Sequence, residues 1–296
     1  MPDITHGYII EVGGKKMTLN EVLGAPLRGV TPVSGGDIND AYKLTLTDGR
    51  QVFMKANRSA GLSFFQAEAD GLEVIRATGA ISVPDVIAVG RDQQYGAFLL
   101  LEWVETVPND PDFWESFGRS LARMHQAPTS RFGWGKDNYI GASPQINTQR
   151  DNWIEFYRDC RLAPQFKRAQ RYFDPSMHKR ITRLLDHLED HLVEPPHPSL
   201  LHGDLWSGNF ITGNDGQAWL IDPAVYVGHA EADLAMTELF GGFAPAFYST
   251  YREISPLQPG YERRRDLYNL YHLLNHLNLF GGGYLSSVLK VLNRYC

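Results

Sequence analysis

Between Leu201 and Pro223 the chain reads LHGDLWSGNFITGNDGQAWLIDP, and this segment constrains the fold more than any other. Asp204 follows His202 after one residue, and Asn209 lies five residues after Asp204. Two short apolar runs come next, Asn209–Thr212 and Gln217–Ile221, around the turn Gly213-Asn214-Asp215-Gly216. Such runs joined by a Gly- and Asn-rich turn predict a tight hairpin. The hairpin returns Asp222 to the side of Asn209. A carboxylate, a carboxamide and a second carboxylate are thus expected at one place.

That set suits phosphoryl transfer, which asks little covalent chemistry of a protein. It needs an aligned acceptor hydroxyl and cations on the phosphate oxygens. The layout matches the catalytic and metal loops of kinases, H-R-D-L-x-x-x-N followed by D-F-G. On this reading Asp204 faces the acceptor as base, and Asn209 and Asp222 hold a hard cation. Mg²⁺ takes few carboxylates and leaves room for phosphate oxygens and water. A bare H-x-D would say nothing; the complete set followed by Ile221-Asp222 says much more.

Upstream, the alternating stretch DAYKLTLTDGRQVFMKAN is centred on Asp48-Gly49 and predicts strands near Ala41–Thr47 and Arg50–Ala56. Lys55 ends the second, in VFMK, much as Lys ends V-A-I-K. A helix is expected from about Ser63 to Ala77, with Phe64, Leu72 and Ile75 on one face. Glu68 shares that face, where a carboxylate is costly without a positive partner. Lys55 supplies one, and the two together make a phosphate-binding pair. Alone, Lys55 would read as a solvated strand end. Ser34-Gly35-Gly36-Asp37 precedes the first strand; Gly35 and Gly36 could admit backbone N–H groups to phosphates, or form a simple turn. There is no G-x-x-x-x-G-K-[ST], which argues against a P-loop NTPase.

Short apolar runs at Val86–Val89 and Ala97–Trp103 read as strands, and a lobe boundary is placed around Trp103–Val107. Beyond it the chain reads as mostly helical. Asp112 can cap a helix through Phe113, Phe117, Leu121 and Met124. Residues 131–150 read as a loop; Asn152–Leu162 and Pro175–Leu192 read as helices. Helices resume from about Glu231, interrupted at Gly241-Gly242 and Gly281–Gly283. The fold class is therefore α+β and two-lobed: residues 1–103 with an antiparallel sheet and one key helix, residues 104–296 mostly helical. ATP is expected in the cleft between them.

A net charge of −6 makes nucleic acid and anionic membrane poor partners for the molecule as a whole. Two cysteines, Cys160 and Cys296, make no disulfide framework, and no signal peptide or membrane span is read, so a cytoplasmic setting is expected. His187/His191 and His272/His276 lie four apart, but neither pair belongs to an H-E-x-x-H, and packing is the plainer reading.

The chain resembles the fructosamine/ketosamine-3-kinase family, a branch of the aminoglycoside-phosphotransferase-like kinases with a protein-kinase-like fold. The resemblance is carried by GGDINDAY at 35–42, HGDLWSGN at 202–209, IDPAVYVGHAEADLAMTELFGGF at 221–243 and LYNLYHLLNHLNLFGGGY at 267–284. The loop Trp134–Asn147 and the run from Trp153 match as well. The first thirty or so residues match poorly and are assigned nothing.

The resemblance implies ATP- and Mg²⁺- (or Mn²⁺-) dependent phosphorylation of a ketosamine at the sugar O3 hydroxyl, on a small metabolite or a glycated lysine. It implies Asp204 as base, Asn209 and Asp222 as metal ligands and Lys55–Glu68 as the phosphate pair. Glu102, Trp103 and Val104 would form the hinge that meets adenine. Asp233 would brace the catalytic loop from behind, with His202 in a supporting role. Trp206 could stack on the sugar or pack in the loop. Asp137 and Asn138 could bind sugar hydroxyls or the amine, or make a turn. The departures matter too. Gly203 replaces the Arg of H-R-D and no A-P-E follows Asp222, which argues against a regulated protein kinase. The loop cysteine of some relatives is missing, so no disulfide switch is expected there. Open alternatives are a kinase for another acceptor (an aminoglycoside, choline or a sugar) and a catalytically silent binding module.

Overall fold

The computed structural model describes residues 9–12, 14–33 and 38–296. β1 (Ile9–Val12), β2 (Lys15–Thr18), β3 (Leu27–Pro32), β4 (Asp40–Leu46), β5 (Gln51–Asn57), β6 (Val86–Asp92) and β7 (Gly96–Glu102) form one sheet. Its seven strands run in the order β2-β1-β6-β7-β5-β4-β3, every neighbouring pair antiparallel. The strands around Asp48-Gly49 form the expected hairpin, with Gly49 at φ 89°, a conformation costly for residues with a Cβ. The early residues, assigned nothing from sequence, supply β1 to β3 and the short helix α1 (Leu19–Leu23). Thr18 and Glu21 close a reciprocal capping box on α1.

β5 lies between β4 and β7, so both its edges are hydrogen-bonded. Val52, Met54 and Ala56 pack on one side with Leu44, Leu46, Phe98 and Leu100. Strand alternation puts Lys55 on the other side, with Phe53. That side is covered by α2 (Leu62–Ala77). The buried stripe of α2 is Phe65, Ala69, Leu72 and Ile75; Phe64, expected on this stripe, is only half-buried and stacks edge-on against Phe65.

The remaining helices are α3 (Phe113–His125), α4 (Trp153–Tyr157), α5 (Ala163–Ala169), α6 (Pro175–Asp186), α7 (Ala230–Leu239), α8 (Pro245–Ile254), α9 (Tyr261–Phe280) and α10 (Leu285–Tyr295). Among them run three two-stranded ribbons. They pair β8 (Asn138–Ile140) with β9 (Ser143–Gln145), β10 (Ser199–Leu201) with β13 (Tyr226–Gly228), and β11 (Phe210–Thr212) with β12 (Ala218–Leu220). No helix among the described residues is long and apolar enough to cross a membrane. Cys160 and Cys296 are free thiols.

Several expectations need correction. Asp112 stands at the N-cap of α3 with a near-helical backbone and makes no side-chain cap; its own N–H donates to Asp110 at 3.0 Å. The helix expected over Asn152–Leu162 widens into a π turn at Arg158–Leu162 and continues as α5. The helix expected to reach Leu192 ends at Asp186, where His187 leaves helical dihedrals; a 3-10 turn then keeps Leu188 and Leu192 buried. Residues 131–150 are not a solvated loop. They contain the β8–β9 ribbon and bury Asn138, Gln145 and Asn147.

One apolar cluster joins the two halves. Phe65, Leu72, Leu99 and Leu101 of the sheet half pack with Phe113, Phe117, Leu200, Leu220 and Val225 of the helical half. The helical half has its own core around Trp153, Tyr157, Leu270 and Leu274. A buried ion pair joins α7 to α9. Arg264 Nε and Nη2 donate to the two oxygens of Glu231 at 2.8 and 2.7 Å. Glu231→Ala leaves a buried guanidinium without its counter-charge and is expected to cost about 3–5 kcal/mol, read as a lower urea midpoint.

Candidate active site

Asp233, in the first turn of α7, shapes the catalytic loop. Its Oδ2 and Oδ1 accept the backbone N–H groups of His202 and Gly203 at 2.7 and 2.9 Å. Its Oδ2 also faces His125 Nε2 at 3.2 Å, and His125 Nδ1 meets the Tyr251 hydroxyl at 2.7 Å. Asp233 can only accept, so Nε2 carries the proton and Nδ1 accepts from Tyr251. Burial works to raise the Asp233 carboxyl, but these donors outweigh it and hold it below the usual range. His125 was not singled out from the sequence; as the last residue of an amphipathic helix it reads like any polar end.

His202 is buried, its Nε2–H given to the Ile221 carbonyl at 2.9 Å and its Nδ1 accepting from Asp204 N–H at 3.2 Å. Burial lowers its pKa, in keeping with this neutral tautomer. Gly203 sits at φ 83°, and a Cβ there would stand 2.1 Å from the Ala224 carbonyl oxygen. That close approach excludes any side chain, the arginine of protein kinases included.

Asp204 is fixed by Asn209, whose Nδ2 donates to the Asp204 carbonyl at 2.8 Å and to its Oδ2 at 3.1 Å. With its nitrogen so engaged, Asn209 has Oδ1 to offer a cation. Burial pushes the Asp204 carboxyl up to about 7, opposed by the Asn209 hydrogen bond and assisted by the nearby Asp233 charge. His272, from the middle of α9, brings Nδ1 to 3.8 Å from Asp204 Oδ1. Burial, with His276 nearby, pushes this imidazole down to about 3, so it is neutral.

The β11–β12 ribbon performs the expected return. Phe210 pairs with Leu220, and Ile221 N–H donates to the Asn209 carbonyl at 3.1 Å. The next residue, Asp222, has φ 56°, the left-handed region that costs a residue with a Cβ about 1–2 kcal/mol. Its carboxylate is thereby turned onto Lys55, in direct ion-pair contact. Lys55 also holds Glu68 at 2.6 Å. Both members of the Lys55–Glu68 pair are largely buried, while Asp222 remains partly open.

The fold thus gathers Lys55, Glu68, Asp204, Asn209 and Asp222 at one junction between sheet and helical half. Among the described residues no group of three His, Cys, Asp or Glu side chains could hold a metal alone. A carboxamide oxygen and a carboxylate side by side suit Mg²⁺ or Mn²⁺ shared with phosphate oxygens, because such ions accept few protein ligands.

The other expected site residues fall into place differently. Gly35 and Gly36 lie outside the described residues. Glu102 ends β7, its N–H bonded to the Asp85 carbonyl at 2.8 Å and its Oε2 to Asp85 N–H at 3.1 Å. Trp103 follows, with Lys43 Nζ 4.2 Å above its ring, and then Val104. Trp206 is exposed beside the catalytic loop. Asp137 is exposed but accepts Asn147 N–H at 2.8 Å, a turn-like role. Asn138 lies deeper in the fold. It is buried, donates to the Val225 carbonyl at 2.8 Å and accepts from Gln145 and Asn147 at 2.8 Å each. These bonds tie the β8–β9 ribbon to the backbone just after Asp222.

The sequence model of fructosamine kinase matches residues 14–296. The chain belongs to the fructosamine kinase family. Within this family it is similar to a probable ketoamine kinase of Synechocystis sp., 46% identical over 269 residues, 88% of each chain. It is also similar to a chloroplastic protein-ribulosamine 3-kinase of Oryza sativa subsp. indica, 42% identical over 290 residues, 95% of this chain and 82% of the other. A solved putative fructosamine-3-kinase from Thermobifida fusca superposes with a TM-score of 0.83 at 35% identity, covering 93% of this chain and 95% of that one. An aminoglycoside phosphotransferase superposes with a TM-score of 0.63 at 18% identity, a likeness of fold alone. These likenesses bear out the α+β, kinase-like class that the sequence implied.

Proposed function

We propose that this fructosamine kinase family chain transfers the γ-phosphate of ATP to the O3 hydroxyl of a ketosamine, ribulosamine or fructosamine. The convergence of Asp204, Asn209 and Asp222 with the Lys55–Glu68 pair carries the reading. The names of relatives more than 40% identical over most of the chain support the acceptor class.

In this reading Asp204 takes the acceptor proton as the hydroxyl oxygen attacks phosphorus and the bond to the ADP oxygen breaks. Its burial keeps the carboxylate poorly solvated and therefore basic. Lys55, placed between Glu68 and Asp222, presents its ammonium to the α/β-phosphates, with Glu68 holding the side chain extended. Asn209 Oδ1 and Asp222 would hold a Mg²⁺ or Mn²⁺ ion, which supplies neutralisation of the phosphate oxygens. Glu102, Trp103 and Val104 would border the adenine, and Trp206 would offer a ring to the sugar. The lobe division at 103/104 sets the nucleotide cleft where sheet and helical half meet.

Excess EDTA is expected to abolish turnover, and added Mg²⁺ or Mn²⁺ to restore it. Asn209→Ala should raise the metal concentration for half-maximal rate by at least about tenfold, read by Mg²⁺ titration at fixed ATP. The acceptor is tested by ADP release with ribulose-lysine, fructose-lysine and kanamycin as alternatives. Release with a ketosamine alone supports the reading; release with kanamycin alone moves the chain to aminoglycosides.

A further inference from the structure

One face of α9 leads out of the active site. His272, His276 and Phe280 lie four residues apart and so share a helical stripe about 12 Å long. The stripe starts 3.8 Å from Asp204 Oδ1 and rises from the buried His272 to Phe280, which is 51% exposed. Rings from other elements widen it. His276 lies 5.2 Å from Phe240 and 5.0 Å from Tyr284, and Phe240 lies 6.1 Å from Trp206. Single exposed rings are ordinary on a protein surface; a connected series that begins at a reacting carboxylate is not.

The inner end carries a second observation. Nδ1 of His272 is buried, has no hydrogen-bond partner and faces Asp204. An orphaned buried polar atom costs free energy unless something meets it. At its depth the imidazole is neutral, so this nitrogen can accept a hydrogen bond.

We infer that this stripe is the subsite for the amine half of the acceptor, with His272 Nδ1 taking an N–H of the amine and the rings Phe240, His276, Phe280 and Tyr284 covering the polypeptide chain that bears the modified lysine. The inference rests on the ketosamine reading above and deepens it. A ketosamine places its amine a few bonds from the reacting hydroxyl, which matches the nearness of His272 to Asp204. The lysine stem then runs along apolar rings, as such stems do, and its ammonium side favours ring faces. A small free amine would stop at His272 and leave the outer rings bare. Their position two helical turns from the base therefore favours a chain over a metabolite.

The test compares ribulosyl-methylamine with ribulosyl-lysine inside a short peptide, for the unsubstituted protein and for Phe240→Ser/Phe280→Ser. Both rings are already exposed, so folding is expected to survive, and thermal unfolding checks it. The expected result is a peptide-to-methylamine ratio of kcat/KM that falls about tenfold in the variant, mostly through KM. An unchanged ratio overturns the assignment. So does an unchanged ratio with a shifted sedimentation coefficient, which would make the rings a contact between copies of the chain. For the inner end, His272→Leu should erase the preference for ribulosyl-methylamine over its ether-linked counterpart, and His272→Asn, which keeps an acceptor atom, should retain it. Equal losses on amine and ether would overturn the role of Nδ1. If the unsubstituted protein turns over neither acceptor, the ketosamine reading itself fails and the subsite with it, an outcome distinct from a flat ratio.

Discussion

Asp204→Asn lowers kcat by about 10³-fold and leaves ATP affinity within about twofold of its starting value. The expected split follows from the geometry. In the proposed mechanism Asp204 meets the acceptor, whereas the nucleotide phosphates meet Lys55, which Glu68 and Asp222 hold in place. The same substitution has a stability signature that separates a lost base from a damaged fold. Asp204 has an ordinary carboxyl pKa of 3.8 when unfolded and is raised to about 7 in the folded chain. Between those values the folded state holds a proton that the unfolded state has released. Stability from this group is therefore full below about pH 4 and is lost as pH rises toward about 7. Asp204→Asn lacks this loss. Thermal unfolding without nucleotide or metal should find the variant no less stable at pH 8, and the difference in its favour should shrink at pH 5. A variant that melts lower at both pH values would point to misfolding as the cause of its inactivity.

Asp233→Ala combines the two effects. Removing this carboxylate strands the N–H groups of His202 and Gly203 and the Nε2–H of His125, all buried. The expected cost is about 3–5 kcal/mol, read by urea unfolding. The loop it braces also carries Asp204, so kcat should fall about 10²-fold even where the protein is still folded, because small misplacements of a reacting group are expensive. Asp233→Asn keeps one acceptor oxygen and should recover part of both losses. A full recovery of stability without recovery of kcat would mean that the charge, and not the hydrogen bonds alone, is what the loop requires.

The convergence of the candidate site residues was legible in the sequence because most of it is local. Asp204, Asn209 and Asp222 are tied by one short ribbon, and the alternation of the strands around Asp48-Gly49 puts Lys55 on a definite side of the sheet. Glu68 betrayed itself as a carboxylate at the edge of an apolar stripe, and its partner is the nearest buried cation. What was not legible depends on distant partners. Asn138 and Gln145 look like solvated loop residues until the Val225 and Ala224 carbonyls, contributed from far along the chain, close over them. His272 looks like one of a pair of packing histidines on α9; only the docking of that helix against the catalytic loop gives it Asp204 as a neighbour. β1 and β2 were missed for the opposite reason. β2 is the open edge of the sheet, where the apolar alternation that marks a strand is weak, and β1 beside it is only four residues long. Asp112 makes no cap because its backbone is near-helical, not the extended form from which a side chain can reach back to the first turn.

The position of the transferred phosphate decides whether Asp204 is the base for O3. Phosphorus and proton NMR of the products from ATP, Mg²⁺ and ribulose-lysine should find one phosphate monoester on the C3 oxygen for each ADP formed, and Asp204→Asn should form both about 10³-fold more slowly. ADP without a phosphorylated ketosamine, or a phosphate at another position, would contradict the assignment of Asp204 as the base for O3.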